Sequence, residues 1–181
     1  MKKLVLILTA VFFMGGIYAQ EKTDDKKAAR QEKRKAAMEE QSRLTQAMLE
    51  NKNFVLETDF LQNRYGDRFP VNSNINFVKV DSSTAVIQVG SSYGIGYNGV
   101  GGVTAKGTIT NWNLKENAKK NSYSLSMSVM TPIGIYDLQF LIDPSSGQAT
   151  ARLTGMRSGS LTFDGKLIPN EVSRVYEGSS I

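Results

Sequence analysis

Residues Thr84–Trp112 have the sequence TAVIQVGSSYGIGYNGVGGVTAKGTITNW, in which two alternating runs flank a glycine-rich bend. After the bend, apolar or small residues from Val103 to Ile109 alternate with Thr and Lys. A period of two is the pattern of a β-strand. The stretch therefore predicts two neighbouring strands joined by a wide loop, and the rest of the domain repeats this arrangement.

Gly94, Gly96 and Gly99 in this bend match the G-x-G-x-x-G fingerprint of dinucleotide-binding proteins. That fingerprint holds a pyrophosphate only where a helix begins at the glycines. Because a strand pattern follows instead, we interpret the glycines as a loop with tight backbone turns, and we predict no cofactor.

Eight segments carry the strand pattern, with turn residues every eight to fifteen positions. They are Phe54–Phe60, Ile75–Asp81, Thr84–Gly90, Val103–Lys115, Ser122–Met130, Tyr136–Ile142, Ala149–Leu153 and Leu161–Leu167. Arg64–Pro70 is predicted to be a turn-rich connection, and Asp143–Gly147 a turn. This spacing predicts an all-β fold, an antiparallel meander of about eight strands.

The segment Ser122–Met130 alternates serine with large apolar residues, so one face is predicted to lie inward and one in water. Leu125 and Phe140 are predicted to point inward, and Ser124 and Ser126 outward. The sheet edges must be protected, either by closure into a barrel or by folding into a two-layer sandwich. The pattern leaves open whether the interior is filled or holds a cavity.

The first 19 residues are predicted to be a secretory signal peptide. Lys2 and Lys3 precede the apolar run Leu4–Met14, and small residues lead to Ala19. Cleavage there leaves Gln20 first. The chain has no cysteine, which excludes lipid attachment at a lipobox. The expected location is periplasmic or secreted, with no stable membrane insertion after cleavage.

Residues 20–51 are predicted to form a charged N-terminal α-helix or tether, ahead of a β-domain at 52–170 and a C-terminal tail at 171–181. The helix is rich in strong helix formers and lacks Gly and Pro. Its first half has almost no large apolar residue, so we expect it to be solvated. Its second half carries Met38, Leu44, Met48 and Leu49 near helical spacing and is expected to dock on the domain.

The net charge of +5 is concentrated outside the predicted domain. Residues Glu21–Arg43 hold eight basic and six acidic side chains, whereas Leu44–Ile181 hold 12 and 11. Proteins that bind nucleic acids concentrate positive charge on the docking face. Nucleic acid is therefore not expected as a partner.

Several catalytic chemistries are excluded by composition. Without histidine or cysteine, the chain lacks the commonest general base, thiol nucleophiles and the usual transition-metal ligands. No catalytic and no metal-binding residues are predicted. Asp137 and Asp164 are both mid-strand, so a hydrolytic carboxylate pair is a minor alternative.

The loop between the third and fourth strands is the predicted site of any function. Tyr93, Tyr97 and Asn98 are expected to project from its glycine-rich frame and to bind a ligand or partner. The competing hypothesis is that both tyrosines pack back onto the barrel mouth and close it.

The order of these features resembles a domain-of-unknown-function family of small exported bacterial proteins, typical of gut Bacteroidetes. The resemblance covers about Asn53–Pro169. It rests on Asn53–Glu57, Asn76–Val80, Ala85–Val89, Gly99–Gly102, Gly107–Asn111, Gly147–Ala151 and Leu161–Gly165. The resemblance agrees with an all-β fold, and the family offers no established catalytic residues to carry over.

Three hypotheses for function follow. The first is a non-enzymatic exported β-domain that binds a small ligand or an envelope protein. The second is a structural or assembly factor of the cell envelope that contacts partners through the N-terminal helix. The third, least favoured by the composition, is a carboxylate-dependent hydrolase.

Overall fold

The computed structural model describes residues 2–91, 98–155 and 159–180, with side chains from Lys26 onward. Helix α1 spans Lys2–Glu50. The chain divides into one compact unit at Met1–Glu40 and another at Gln41–Ile181. No helix in the described part of the chain is both long enough and apolar enough to cross a membrane.

Within the described residues, all eight predicted strands are present, together with one short extra strand. The strands are β1 Asn53–Gln62, β2 Arg68–Pro70, β3 Phe77–Asp81, β4 Thr84–Val89, β5 Val103–Asn117, β6 Ser122–Thr131, β7 Gly134–Ile142, β8 Gln148–Gly155 and β9 Ser160–Ile168. The extra strand is β2, which lies in the predicted connection Arg64–Pro70. Its position at the sheet edge is compatible with Pro70, which has no N–H to donate.

Eight of these strands close into an antiparallel barrel, which decides between the barrel and the sandwich. The strand order runs from β1 through β3 to β9, and β1 pairs with β9 to close the sheet. At this seam the register shifts between Thr58 and Phe60. A Cβ at Gly165 would lie 1.9 Å from the carbonyl oxygen of Glu57, so only glycine allows β9 to approach β1 this closely.

The two faces of the sheet follow the predicted alternation. Leu125 and Phe140 are buried in the barrel interior, whereas Ser124 is exposed and Ser126 half-buried. The ring of Phe140 packs edge-to-face on that of Phe54, with 5.9 Å between the centroids. Apolar burial of this kind is the main stabilising contribution to the fold.

One end of the barrel is covered by the last turns of α1, and we call it the capped end. Met48 and Leu49 are buried in the main core, and the Thr45 hydroxyl donates a hydrogen bond of 3.2 Å to the carbonyl of Pro144. The docking face differs from the predicted one, since Met38 and Leu44 are 51% and 43% exposed. Thr45, Met48 and Leu49 share a helical face, and Leu44 lies about 100° away from Thr45 around the axis.

The C-terminal segment Glu171–Ser180, which we call the strap, lies on the outer face of the sheet. Val175 packs against a small cluster formed by Val55, Phe77 and Val86. These three residues alternate with the inward residues of β1, β3 and β4, so the cluster is outside the barrel. The strap therefore covers apolar surface that the barrel alone leaves exposed.

Candidate functional site

The end of the barrel opposite α1 carries the β1–β2, β4–β5, β6–β7 and β8–β9 connections, and we call it the open end. Neighbouring strands of the eight-stranded barrel run in opposite directions, so the connections between them lie alternately at its two ends. The glycine-rich loop of the sequence analysis is the β4–β5 connection. It therefore belongs to this end.

The open end contains a cavity of about 740 Å³. Its lining comes from β7, β8, β9 and their connections, and comprises Ile133, Gly134, Ile135, Tyr136, Leu153, Gly155, Gly159, Ser160 and Leu161. Tyr136, Leu153 and Leu161 continue the inward-facing rows of the three strands and are partly buried against the core. The cavity is thus the unfilled mouth of the barrel interior.

Glycines lie at the ends of the inward rows that line the cavity. Tyr136 pairs with Gly155, whereas further in Phe140 pairs with Ala151. A Cβ at Gly155 would lie 3.2 Å from the Tyr136 ring, so the ring rests closely on the glycine backbone. At Gly159, no described atom lies within 4 Å of the position that a Cβ would take.

The described part of the cavity lining is uncharged. None of its described residues carries a charge at neutral pH, and the side-chain polar groups are the hydroxyls of Tyr136 and Ser160. Glycine at three positions also leaves backbone groups accessible. Burial of a charge without a partner is costly. The described lining therefore favours an uncharged molecule that combines apolar surface with hydrogen-bonding groups.

An exposed apolar rim adjoins the cavity at the tip of the β6–β7 hairpin. Met130, Ile133 and Ile135 are 53%, 43% and 43% exposed. Met130 and Ile135 are directly paired across the two strands, and both point outward. Ile133 and Ile135 also border the cavity, so the rim and the cavity are adjacent.

The predicted site residues in the β4–β5 loop divide into two groups. Tyr93 and Tyr97 lie outside the described residues. Asn98 is 1% exposed, and its side chain is engaged within the loop and β5. Its Oδ1 accepts hydrogen bonds from the N–H groups of Val100 (3.1 Å) and Gly102 (2.9 Å), and its Nδ2 donates to the Thr104 hydroxyl (3.1 Å).

Asn98 therefore organises the backbone of the loop and does not project from it, as the sequence analysis expected it to. An asparagine that bonds the N–H two residues later forms a turn of its own, which is a common role of this residue in glycine-rich loops. After the loop comes strand β5, so the helix that the G-x-G-x-x-G fingerprint needs does not follow.

The two aspartates considered for hydrolysis are not brought together. Asp137 accepts a hydrogen bond of 2.6 Å from Ser128, and Asp164 pairs with Arg68. They lie two strands and four register positions apart. That places them about 16 Å apart by strand spacing and rise, beyond the separation of a hydrolytic pair. Among the described residues, no group of three His, Cys, Asp or Glu side chains is placed to hold a metal ion.

Sequence reasoning placed Tyr136, Leu153 and Leu161 in predicted strands but did not identify them as cavity residues. The available indication was the group of glycines at the ends of β7, β8 and β9, namely Gly134, Gly155 and Gly159. Whether such a row ends in a gap depends on how the barrel closes, which alternation alone does not specify.

Comparisons with known proteins agree with this architecture. The crystal structure of a DUF4251 family protein from Bacteroides eggerthii is similar, with a TM-score of 0.62 and 28% sequence identity. The similarity covers 74% of this chain and 90% of that one. No curated protein matches. The domain of unknown function DUF4251 matches residues 15–167, and the chain therefore belongs to the DUF4251 family.

Proposed function

We propose that the protein is a non-enzymatic, exported bacterial β-barrel that binds an uncharged, partly apolar small molecule at its open end. The observation that carries this proposal is the cavity of about 740 Å³, whose described lining is uncharged and combines apolar side chains with hydroxyl and backbone groups. Ligand sites in proteins commonly enclose about 300–1,000 Å³ and have few polar groups. The mouth of a small barrel is one of the places where such sites occur.

Tyr136 and Ser160 are the residues that would orient the bound molecule. Each offers a hydroxyl that both donates and accepts a hydrogen bond. Leu153, Leu161 and the ring of Tyr136 would supply apolar contact, at about 25 cal/mol per Å² removed from water. The chain has no histidine or cysteine to activate either hydroxyl as a nucleophile, which favours binding over catalysis.

The test is binding of N-phenyl-1-naphthylamine, an uncharged apolar dye whose fluorescence rises when it leaves water. Gly159→Leu adds a side chain at the cavity lining where a Cβ meets no described atom. We expect this variant to keep its melting temperature and to lose affinity for the dye by about tenfold or more, the equivalent of 1.4 kcal/mol.

The matched control is Ser124→Leu, which adds the same side chain on the exposed outer face of β6. It should bind the dye as the wild type does. Equal affinity of wild type and Gly159→Leu would exclude the cavity as the binding site.

A protein partner at the apolar rim is the alternative occupant of this end. Met130 belongs to the rim and not to the cavity lining, so Met130→Gln separates the two. Dye binding should be unchanged in Met130→Gln if the cavity holds a small molecule. If the wild-type chain captures a protein partner, weaker binding of that partner by Met130→Gln would favour the rim instead.

Export rests on the predicted signal peptide at residues 1–19. The solved family member comes from Bacteroides eggerthii, which is compatible with a bacterial source. N-terminal sequencing of protein from the periplasm or medium of a bacterial host should give Gln20 as the first residue or one close to it. An intact Met1 on exported material would contradict this.

A further inference from the structure

The strap lies in a groove on the outer face of β1, β3 and β4, where Val175 is its apolar anchor. Val175 packs on Val55, Phe77 and Val86, which are all almost fully buried. Val172, three residues earlier in the strap, is 66% exposed. Of the two valines in the strap, Val175 packs into the apolar cluster and Val172 faces solvent.

After Val175, hydrogen bonds made by the backbone groups of the strap fix its position in the groove. The N–H of Tyr176 donates to the carbonyl of Asn74 (2.8 Å), and its own carbonyl accepts from Gln88 Nε2 (2.8 Å). The N–H of Gly178 then donates to Gln88 Oε1 (2.8 Å). Gln88 is completely buried, and each polar end of its side chain bonds both to the strap and to the barrel, since Nε2 also donates to the carbonyl of Ile75 (3.1 Å).

Two further contacts restrict which residues fit at positions 177 and 178 of the strap. Glu177 lies between two amines, with Oε1 3.0 Å from Lys106 Nζ and Oε2 3.9 Å from Lys79 Nζ. A Cβ at Gly178 would lie 2.3 Å from the carbonyl oxygen of Asn98, so no side chain fits at this position. The groove thus combines an apolar seat, a basic site and a contact that admits only glycine.

The strap also reaches the β4–β5 loop. The N–H of Ser179 donates to the carbonyl of Asn98 (3.0 Å). The Thr104 hydroxyl donates to Gln88 Oε1 (2.8 Å) and accepts from Asn98 Nδ2 (3.1 Å). A continuous hydrogen-bond network therefore connects the strap, through Gln88 and Thr104, to the residue that organises the loop.

We propose that the outer face of β1, β3, β4 and β5 is a peptide-binding groove, occupied by the chain's own C-terminal strap, and that its occupancy orders the Asn98–Gly102 part of the β4–β5 loop. The ligand class is an extended peptide with the pattern Val-x-Glu-Gly. The proposal is independent of the ligand proposed for the open end.

The first test unseats the strap in the full chain with Val175→Asp, which places a carboxylate in the apolar seat. Amide hydrogen exchange should accelerate by about tenfold or more at Gly178 and Ser179, and also at Val100 and Gly102 in the loop. Val172→Asp is the matched control and should leave all four amides unchanged. Acceleration of the strap amides without the loop amides would overturn the coupling.

The second test fills the groove from outside. A fluorescent peptide with the sequence of Asn170–Ser180 should bind the Val175→Asp chain saturably and slow exchange at Val100 and Gly102 again. The same peptide with Gly178→Ala should bind about tenfold more weakly, a difference of about 1.4 kcal/mol. If the unaltered peptide fails to bind, the groove proposal is overturned.

If Val175→Asp accelerates exchange throughout the barrel, Gly178→Ala in the full chain replaces it. That second variant keeps the apolar seat and removes only the fit against Asn98. Unchanged exchange at Gly178, Ser179, Val100 and Gly102 in it would likewise overturn the proposal.

Discussion

The two ends of the barrel are built from the same strands and differ in how their inward rows finish. At the capped end, Met48 and Leu49 of α1 complete the core. At the open end, Tyr136, Leu153 and Leu161 of the inward rows border a cavity of about 740 Å³. The comparison shows that one alternating pattern can produce a packed core at one end and a cavity at the other.

The largest loss of stability is expected in the middle of the barrel, and it is the reference for the losses at the two ends. Phe140→Ala removes a side chain that is 1% exposed, and should lower the free energy of unfolding by about 3–5 kcal/mol. Ser126→Ala, on the outer face, should cost less than about 0.5 kcal/mol. Denaturant unfolding measures both, and the reverse order would mean that the faces are exchanged.

A paired truncation compares the two ends directly. Leu49→Ala at the capped end removes a fully buried side chain and should cost about 2–5 kcal/mol. Leu161→Ala at the open end should cost about 1 kcal/mol, because this side chain is only partly buried and borders an existing cavity. Equal losses in urea unfolding would argue that the open end is packed as tightly as the capped one.

Removal of residues 21–36 should have a smaller effect than either truncation. Every described side chain of this segment, from Lys26 onward, is exposed, so the deletion removes little packing. The melting temperature should fall by less than about 10 °C. A larger fall would show that this helical segment stabilises the domain, and loss of a partner without loss of stability would favour the assembly-factor hypothesis.

The smallest effect concerns the Asp143 turn at the capped end. Hydrogen bonds from the Ser145 and Ser146 hydroxyls lower the pKa of Asp143. Its folded-state pKa is therefore below its unfolded value, so the stabilisation is complete above the unfolded pKa. It is lost as pH falls through the folded pKa.

The difference in melting temperature between wild type and Asp143→Asn should accordingly shrink from neutral to strongly acidic buffer. In the background of Ser145→Ala with Ser146→Ala, the pH dependence of this difference should be weaker. A difference that stays constant with pH would contradict a role for the ionised carboxylate.

Much of the fold could be predicted because the strands alternate clearly. The serine and apolar rows of β6 identified both faces correctly, and Asp143–Gly147 forms the predicted turn. Barrel closure could not be predicted, since it depends on the register shift at Thr58 and on the close approach at Gly165. Both are properties of two strands that are distant in sequence.

Less of the candidate site could be predicted. The sequence located a recognition surface in the β4–β5 loop, but Asn98 is buried and bonds to its own loop. The cavity residues, such as Leu153, were placed in predicted strands, but a partly filled row has the same alternation as a filled one. The strap was predicted only as a C-terminal tail, because a single anchor, Val175, gives no periodic pattern.

The most direct test of the difference between the ends is a methyl NMR titration with N-phenyl-1-naphthylamine. The methyl signals of Leu153 and Leu161 should shift progressively and saturate, while those of Met48 and Leu49 stay in place. This outcome would locate the binding surface at the open end. Shifts confined to Met48 and Leu49, or no shift at Leu153 and Leu161 at saturating dye, would contradict the account.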